Sequence, residues 1–108
     1  MNDLVKKSLT DNLICIDGIV HLQGKRDFLW YTNSITVKRA VERELSIIGE
    51  AINRILKIDK NFPLSKAPEI IAFRNRVIHA YDAVDDNLVW KVIMMDIPVL
   101  QKEVLALI

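Results

Sequence analysis

Within ten residues, Phe73-Arg74-Asn75-Arg76-Val77-Ile78-His79-Ala80-Tyr81-Asp82 gathers two guanidiniums, an imidazole, a phenol and a carboxylate. A guanidinium stays cationic and grips phosphate oxygens through a planar fork, whereas imidazole titrates near neutrality and moves a proton in either direction. Together these groups suit phosphodiester cleavage. On a helix turning about 100° per residue, Tyr81 returns to within about 20° of Arg74, and Asn75 shares a stripe with His79. Arg74 and His79 diverge by about 140° on the same wheel. One phosphate therefore meets both only if the helix bends or a second chain contributes. The same residues also suit a plainer role, with Arg74 and Arg76 as solvated helix charges and His79 hydrogen-bonded at a helix end.

The elements that must hold these side chains are helical. Leu4, Leu9, Leu13, Ile16 and Ile19 or Val20 recur mostly every three or four residues, which predicts an amphipathic helix to about Leu22, ended by Gly24. Residues 25–34 mix charge, aromatics and capping types and read as a connector with one helical turn, with Trp30 and Tyr31 packing over the bundle end. From Ser34 to Lys57 the spacing of Val41, Leu45, Ile48, Ile52 and Leu56 is nearly unbroken. On its other face Lys38, Arg39, Arg43 and Arg54 alternate with Glu42, Glu44 and Glu50, the pattern of a solvated face with local ion pairs. Gly49 inside this helix costs about 1 kcal/mol against alanine, so its presence points to close helix approach. Residues 58–67 read as a loop, and Pro68 starts the helix that leads into the motif. The run Asp82 to Asn87 breaks that helix and offers caps for the next. Apolar positions from Leu88 to Ile108 cover more than one face, and Pro98 requires a kink or a new start because it lacks an amide proton. With no strand alternation, repeat or Gly-rich loop, the expected fold is an all-α, up-and-down four-helix bundle with short accessory turns.

Composition bounds the alternatives. A chain of 108 residues that is 51% hydrophobic and 27% charged suits one domain over residues 1–108. Its formal charge of +1 hides an asymmetry: residues 1–81 carry 13 basic and 9 acidic side chains (+4), and residues 82–108 carry 2 and 5 (−3). The motif closes the basic part, but the bias is too small to imply tight nonspecific nucleic-acid binding. The single cysteine, Cys15, sits among Leu13, Ile14 and Ile16 and reads as a buried thiol, and two distant histidines suggest no zinc site. Neither a secretory signal nor a membrane span is expected, since Lys6 and Lys7 precede no uninterrupted apolar stretch and no window of about 18 apolar residues exists. A soluble cytoplasmic protein without metal or cofactor is the expectation.

The order arginine, four residues, histidine, one residue, tyrosine resembles the signature of the HEPN superfamily. It is most similar to HepT-like ribonuclease toxins encoded beside a minimal nucleotidyltransferase antitoxin in type VII pairs. The likeness extends to Ala40-Val41-Glu42-Arg43-Glu44-Leu45-Ser46-Ile47-Ile48-Gly49-Glu50-Ala51, similar to that family's second-helix block, and to Asp86-Asn87-Leu88-Val89-Trp90 with Asp96-Ile97-Pro98, similar to its C-terminal block. All three occur in order over nearly the whole chain. The resemblance implies a homodimeric, metal-independent endoribonuclease with Arg74 and His79 catalytic and Asn75 and Arg76 contacting or orienting RNA. It also gives Glu50 a place beside the site and makes Tyr81 the residue AMPylated by the partner nucleotidyltransferase. Two other readings belong to different classes: a non-catalytic nucleotide- or RNA-binding subunit of a nucleotidyltransferase complex, and an inactive helical interaction domain.

Overall fold

The computed structural model describes residues 2–79 and 84–108; it does not describe the side chains of Ile78 and His79. Among the described residues there are helices and no strands. Four helices begin where the sequence supplies a side-chain acceptor for the free amides of the first turn. Asn2 Oδ1 accepts from Leu4 N at 2.7 Å and opens α1 (Asp3–Gln23). Asp27 Oδ1 accepts from Trp30 N at 2.9 Å and opens the single-turn α2 (Phe28–Thr32). Ser34 Oγ accepts from Val37 N at 3.2 Å and opens α3 (Ile35–Ile58). The motif helix α4 (Ala67–His79) follows, with Pro68 in its first turn. Asp85 caps α5 (Asp86–Lys91) by accepting from Asn87 N at 2.9 Å.

The C-terminal segment runs on without a break. Between α5 and α6 (Ile97–Leu107), residues Val92–Asp96 form one π-helical turn in which Ile97 N–H donates to Val92 O, five residues back. Pro98 explains the turn. A regular helix would need a Pro98 amide to reach Met94 O and would press the pyrrolidine ring on that carbonyl; the wider turn accommodates both faults. The expected kink or restart is thus realised as an inserted residue within one long helix. With it the described residues form four long helices and one short accessory helix, the bundle the pattern predicts.

α3 is the centre, packed on α1 to one side and α4 on the other. Its Val41, Leu45, Ile48, Ile52 and Ile55 are buried, and each such aliphatic side chain contributes about 1.5–3 kcal/mol. The buried stripe of α1 is Val5, Ser8, Leu9, Asn12, Cys15, Ile16 and Ile19. Leu9, Ile16 and Ile19 are buried where the spacing puts them; Leu4 is exposed at the helix start, and so is Val20, the alternative to Ile19. Ser8 and Asn12 complete the buried stripe between the apolar positions. Burial, with Glu44 next in effect, pushes the Cys15 thiol up to about 12. At the bundle end Tyr31 is fully buried, its ring 5.8 Å from that of Trp90.

Cross-links between elements are polar. Ser65 donates to the Glu103 carboxylate from its amide (3.1 Å) and its hydroxyl (2.9 Å), tying the α3–α4 loop to α6. Lys38 reaches Asp86 at 2.8 Å and Arg54 reaches Asp11 at 3.8 Å. These cations of α3 therefore pair with other helices rather than with the glutamates interleaved on their own. Among the described residues no helix is long and apolar enough to cross a membrane.

Candidate active site

α4 carries the motif and lies against α3 at Gly49. A Cβ built on Gly49 would meet Arg74 Cβ at 2.5 Å, Arg74 Cγ at 2.9 Å and the Ile70 carbonyl at 3.4 Å. Side-chain carbons pack at about 3.5–4.0 Å, so only glycine lets the Arg74 stem lie flat between the helices. The close approach expected from the sequence is thereby given its partner. Ala67, Ile70 and Phe73 bury the inner side of α4 and fix its rotation.

The guanidinium at the end of that stem is partly exposed. Arg74 Nη1 donates to Asn75 Oδ1 at 3.0 Å, and Nη2 lies 4.0 Å from Glu50 Oε1. Nε is buried and has no hydrogen-bond partner among the described residues. A guanidinium carries five N–H donors, and among the described residues one of them is engaged. Of the others Nε is buried, and the outer N–H groups, with Glu50 too distant for a direct hydrogen bond, have the chemistry to receive an anion. Glu50 is half exposed, so it offsets the charge of Arg74 without holding the fork. Asn75 turns its amide oxygen to Arg74, which makes it the residue that orients the arginine; whether it also faces His79 lies beyond the described side chains.

Arg76 goes elsewhere. Two residues from Arg74, it is turned by about 200° and lines a cleft between α4 and the C-terminal helix with Glu69, Lys91 and Asp96. Its nearness to Arg74 in sequence therefore does not carry over to the direction of its side chain. His79 closes α4 with its backbone, five residues after Arg74, and its imidazole lies outside the described residues. Tyr81 also lies outside them.

Asp96, named in the sequence only as part of the C-terminal block, is a buried acid. It is 1% exposed, on the buried stripe of Val89, Val92, Ile93, Ile97, Leu100 and Val104. An acidic residue falling on the apolar spacing of its helix was the available signal.

This geometry can be set beside known proteins. The family model described as "Ribonuclease HepT-like" matches residues 12–107, which include every residue of the site. The chain belongs to the HepT-like ribonuclease family. Among HepT-like relatives, it is 34% identical to "Putative RNase MJ0125" of Methanocaldococcus jannaschii over 92% of this chain and 86% of that one. It is also 34% identical to "Putative RNase MJ1380" of the same organism over 93% of both chains. "Probable ribonuclease HepT" of Thermococcus cleftensis is 41% identical over 57% of each. No solved structure matches.

Proposed function

We propose that this HepT-like chain is a metal-independent endoribonuclease. It forms one catalytic domain, acts in the cytoplasm as the toxin of a type VII pair, and is silenced when a partner minimal nucleotidyltransferase AMPylates Tyr81. The observation that carries the reading is the seating of Arg74. A guanidinium with donors unengaged among the described residues stands on a fixed stem beside Glu50 and Asn75, five residues before the histidine that closes the same helix.

In this reading Arg74 donates to the non-bridging phosphate oxygens and stabilises the charge that builds on them as the ribose 2′-oxygen attacks phosphorus. Neutral His79 takes the 2′-hydroxyl proton, or imidazolium His79 gives one to the departing 5′-oxygen. The P–O5′ bond breaks as the P–O2′ bond forms, leaving a cyclic phosphate and a free 5′-hydroxyl. Asn75 holds Arg74 in line. The uncovered stripe of Met94, Met95, Val99 and Leu105 supports a homodimer, and a second copy would also answer the 140° divergence of Arg74 and His79. A sedimenting monomer with full activity at micromolar concentration removes the composite site.

RNA cleavage in EDTA, compared with His79→Ala, tests the proposal. A general acid–base group contributes about 10²–10⁴-fold, so the variant should lose that much while the wild type keeps its rate. Equal rates in the two proteins refute the assignment.

A further inference from the structure

The cleft that takes Arg76 lies across α4 from Arg74, encloses about 190 Å³ and has no part in the chemistry above. Its apolar wall is formed by Phe73, Leu88 and Val92. Arg76 and Lys91 stand in it as cations, with Glu69 as a second acidic group. Asp96 lines it from the π turn.

The Asp96 carboxylate is the unusual feature. Its side chain is 1% exposed and Oδ2 accepts no hydrogen bond among the described residues. Lys66 Nζ stands 3.7 Å from Oδ1 and Lys91 Nζ 3.8 Å from Oδ2, well beyond the roughly 2.7–2.9 Å of a charge-assisted hydrogen bond. A buried acceptor left unmade costs stability. Lys91, the cation nearest the open acceptor, is 58% exposed on its side chain and able to swing away.

We propose that this cleft is a guanine-reading subsite for single-stranded RNA. An ionised carboxylate only accepts. Of the four RNA bases, guanine alone sets two donors side by side on its pairing edge, N1–H and the N2 amine. Adenine and cytosine place a ring-nitrogen acceptor next to their amine, and uracil flanks its one N–H with two carbonyls; both arrangements meet a carboxylate with repulsion. Unstacked bases are read on such edges in single-stranded RNA. The purine ring lies against Phe73, Leu88 and Val92, and Arg76 with Lys91 holds an adjoining phosphate on the side away from Glu69. The subsite rests on the ribonuclease reading for its substrate class. It sets where the strand is held, and Arg74 with His79 sets where it is cut.

Fluorescein-labelled 2′-O-methyl pentanucleotides UUGUU, UUAUU, UUCUU and UUUUU cannot be cut by 2′-oxygen attack and serve as probes in anisotropy titrations. The wild type should bind UUGUU about ten-fold tighter than the others. Asp96→Asn, checked for helical content by circular dichroism, should bring all four to one level, and Arg76→Ala should weaken all four alike. Inosine lacks the N2 amine, so UUIUU on the wild type should lose most of the preference even if Asp96→Asn fails to fold. A wild type indifferent to the base, a preference surviving Asp96→Asn, or UUIUU matching UUGUU overturns the subsite. A base-indifferent protein that still cleaves RNA overturns the subsite alone, whereas guanine-selective binding without any cleavage overturns the ribonuclease reading alone.

Discussion

Replacing Gly49 by alanine separates site geometry from stability. The added methyl group would stand 2.5 Å from Arg74 Cβ and 2.9 Å from Cγ. Restoring ordinary contact at about 3.5 Å requires α4 to retreat by about 1 Å. Overpacking of this kind costs about 1–3 kcal/mol, while alanine for glycine in a helix interior returns about 1 kcal/mol. The net loss is then about 0–2 kcal/mol, and at about 4–8 °C per kcal/mol for a chain of this size the melting temperature falls by at most about 16 °C. A misplacement of about 1 Å at a reacting group costs about 100-fold in rate. Gly49→Ala should therefore stay folded at 25 °C and cleave RNA about two orders of magnitude more slowly. Gly18 supplies the internal control, because a Cβ there meets nothing within 4 Å. Gly18→Ala should gain up to about 1 kcal/mol and keep its activity. Urea unfolding and RNA cleavage on the two variants decide the matter; full activity in Gly49→Ala, or the same stability change in both, refutes the close-approach argument.

Burial, then Asp86, pushes the Glu42 carboxyl above its ordinary 4.5 against the pull of Lys38 and Arg39. Between 4.5 and the raised value the folded chain holds a proton that the unfolded chain has released, so this group's stabilisation is present at low pH and lost as pH rises through that window. Glu42→Gln should melt higher than the wild type at pH 7 and level with it at pH 4, and a melting curve showing no such convergence contradicts the assignment. Cys15, its thiol raised to about 12 by burial and Glu44, should resist a thiol-specific disulfide reagent at pH 8 and react once the chain is unfolded in urea; rapid native reaction would place it at the surface. Tyr81→Phe should gain no mass in AMP steps from the cognate nucleotidyltransferase and ATP while the wild type does, and modification of the Phe chain would move the acceptor elsewhere.

Periodicity located α3 and the ends of α1 well because these depend on local facts: spacing every three or four residues, a Ser34 cap, a Gly24 stop with φ of 53°. Polar core positions were illegible for the opposite reason. Whether Ser8 and Asn12 face α3 or water is decided by where that helix lies, which no spacing within α1 records. Asp96 shows the same limit, since its apolar neighbours suggest burial and its charge forbids it unless a cleft and two lysines stand nearby. At the site, Gly49 was legible as a close approach, but that its partner is the stem of Arg74 required α4 in place. The direction of Arg76 was not legible from its nearness to Arg74, because the helix turns it by about 200° toward a different cleft.

The packing of the Arg74 stem on Gly49 makes the phosphate-binding group part of the seam that joins two helices. The seat of this arginine is lost as soon as α3 and α4 part. Any polyanion caught by Arg74 therefore binds the closed pair and not the open one, and by mass action a ligand at 100 times its dissociation constant adds about 2.7 kcal/mol to the closure. On the proposed role of Arg74, a bound polyanion should protect the hairpin from proteases, and unfolding of the pair should release it.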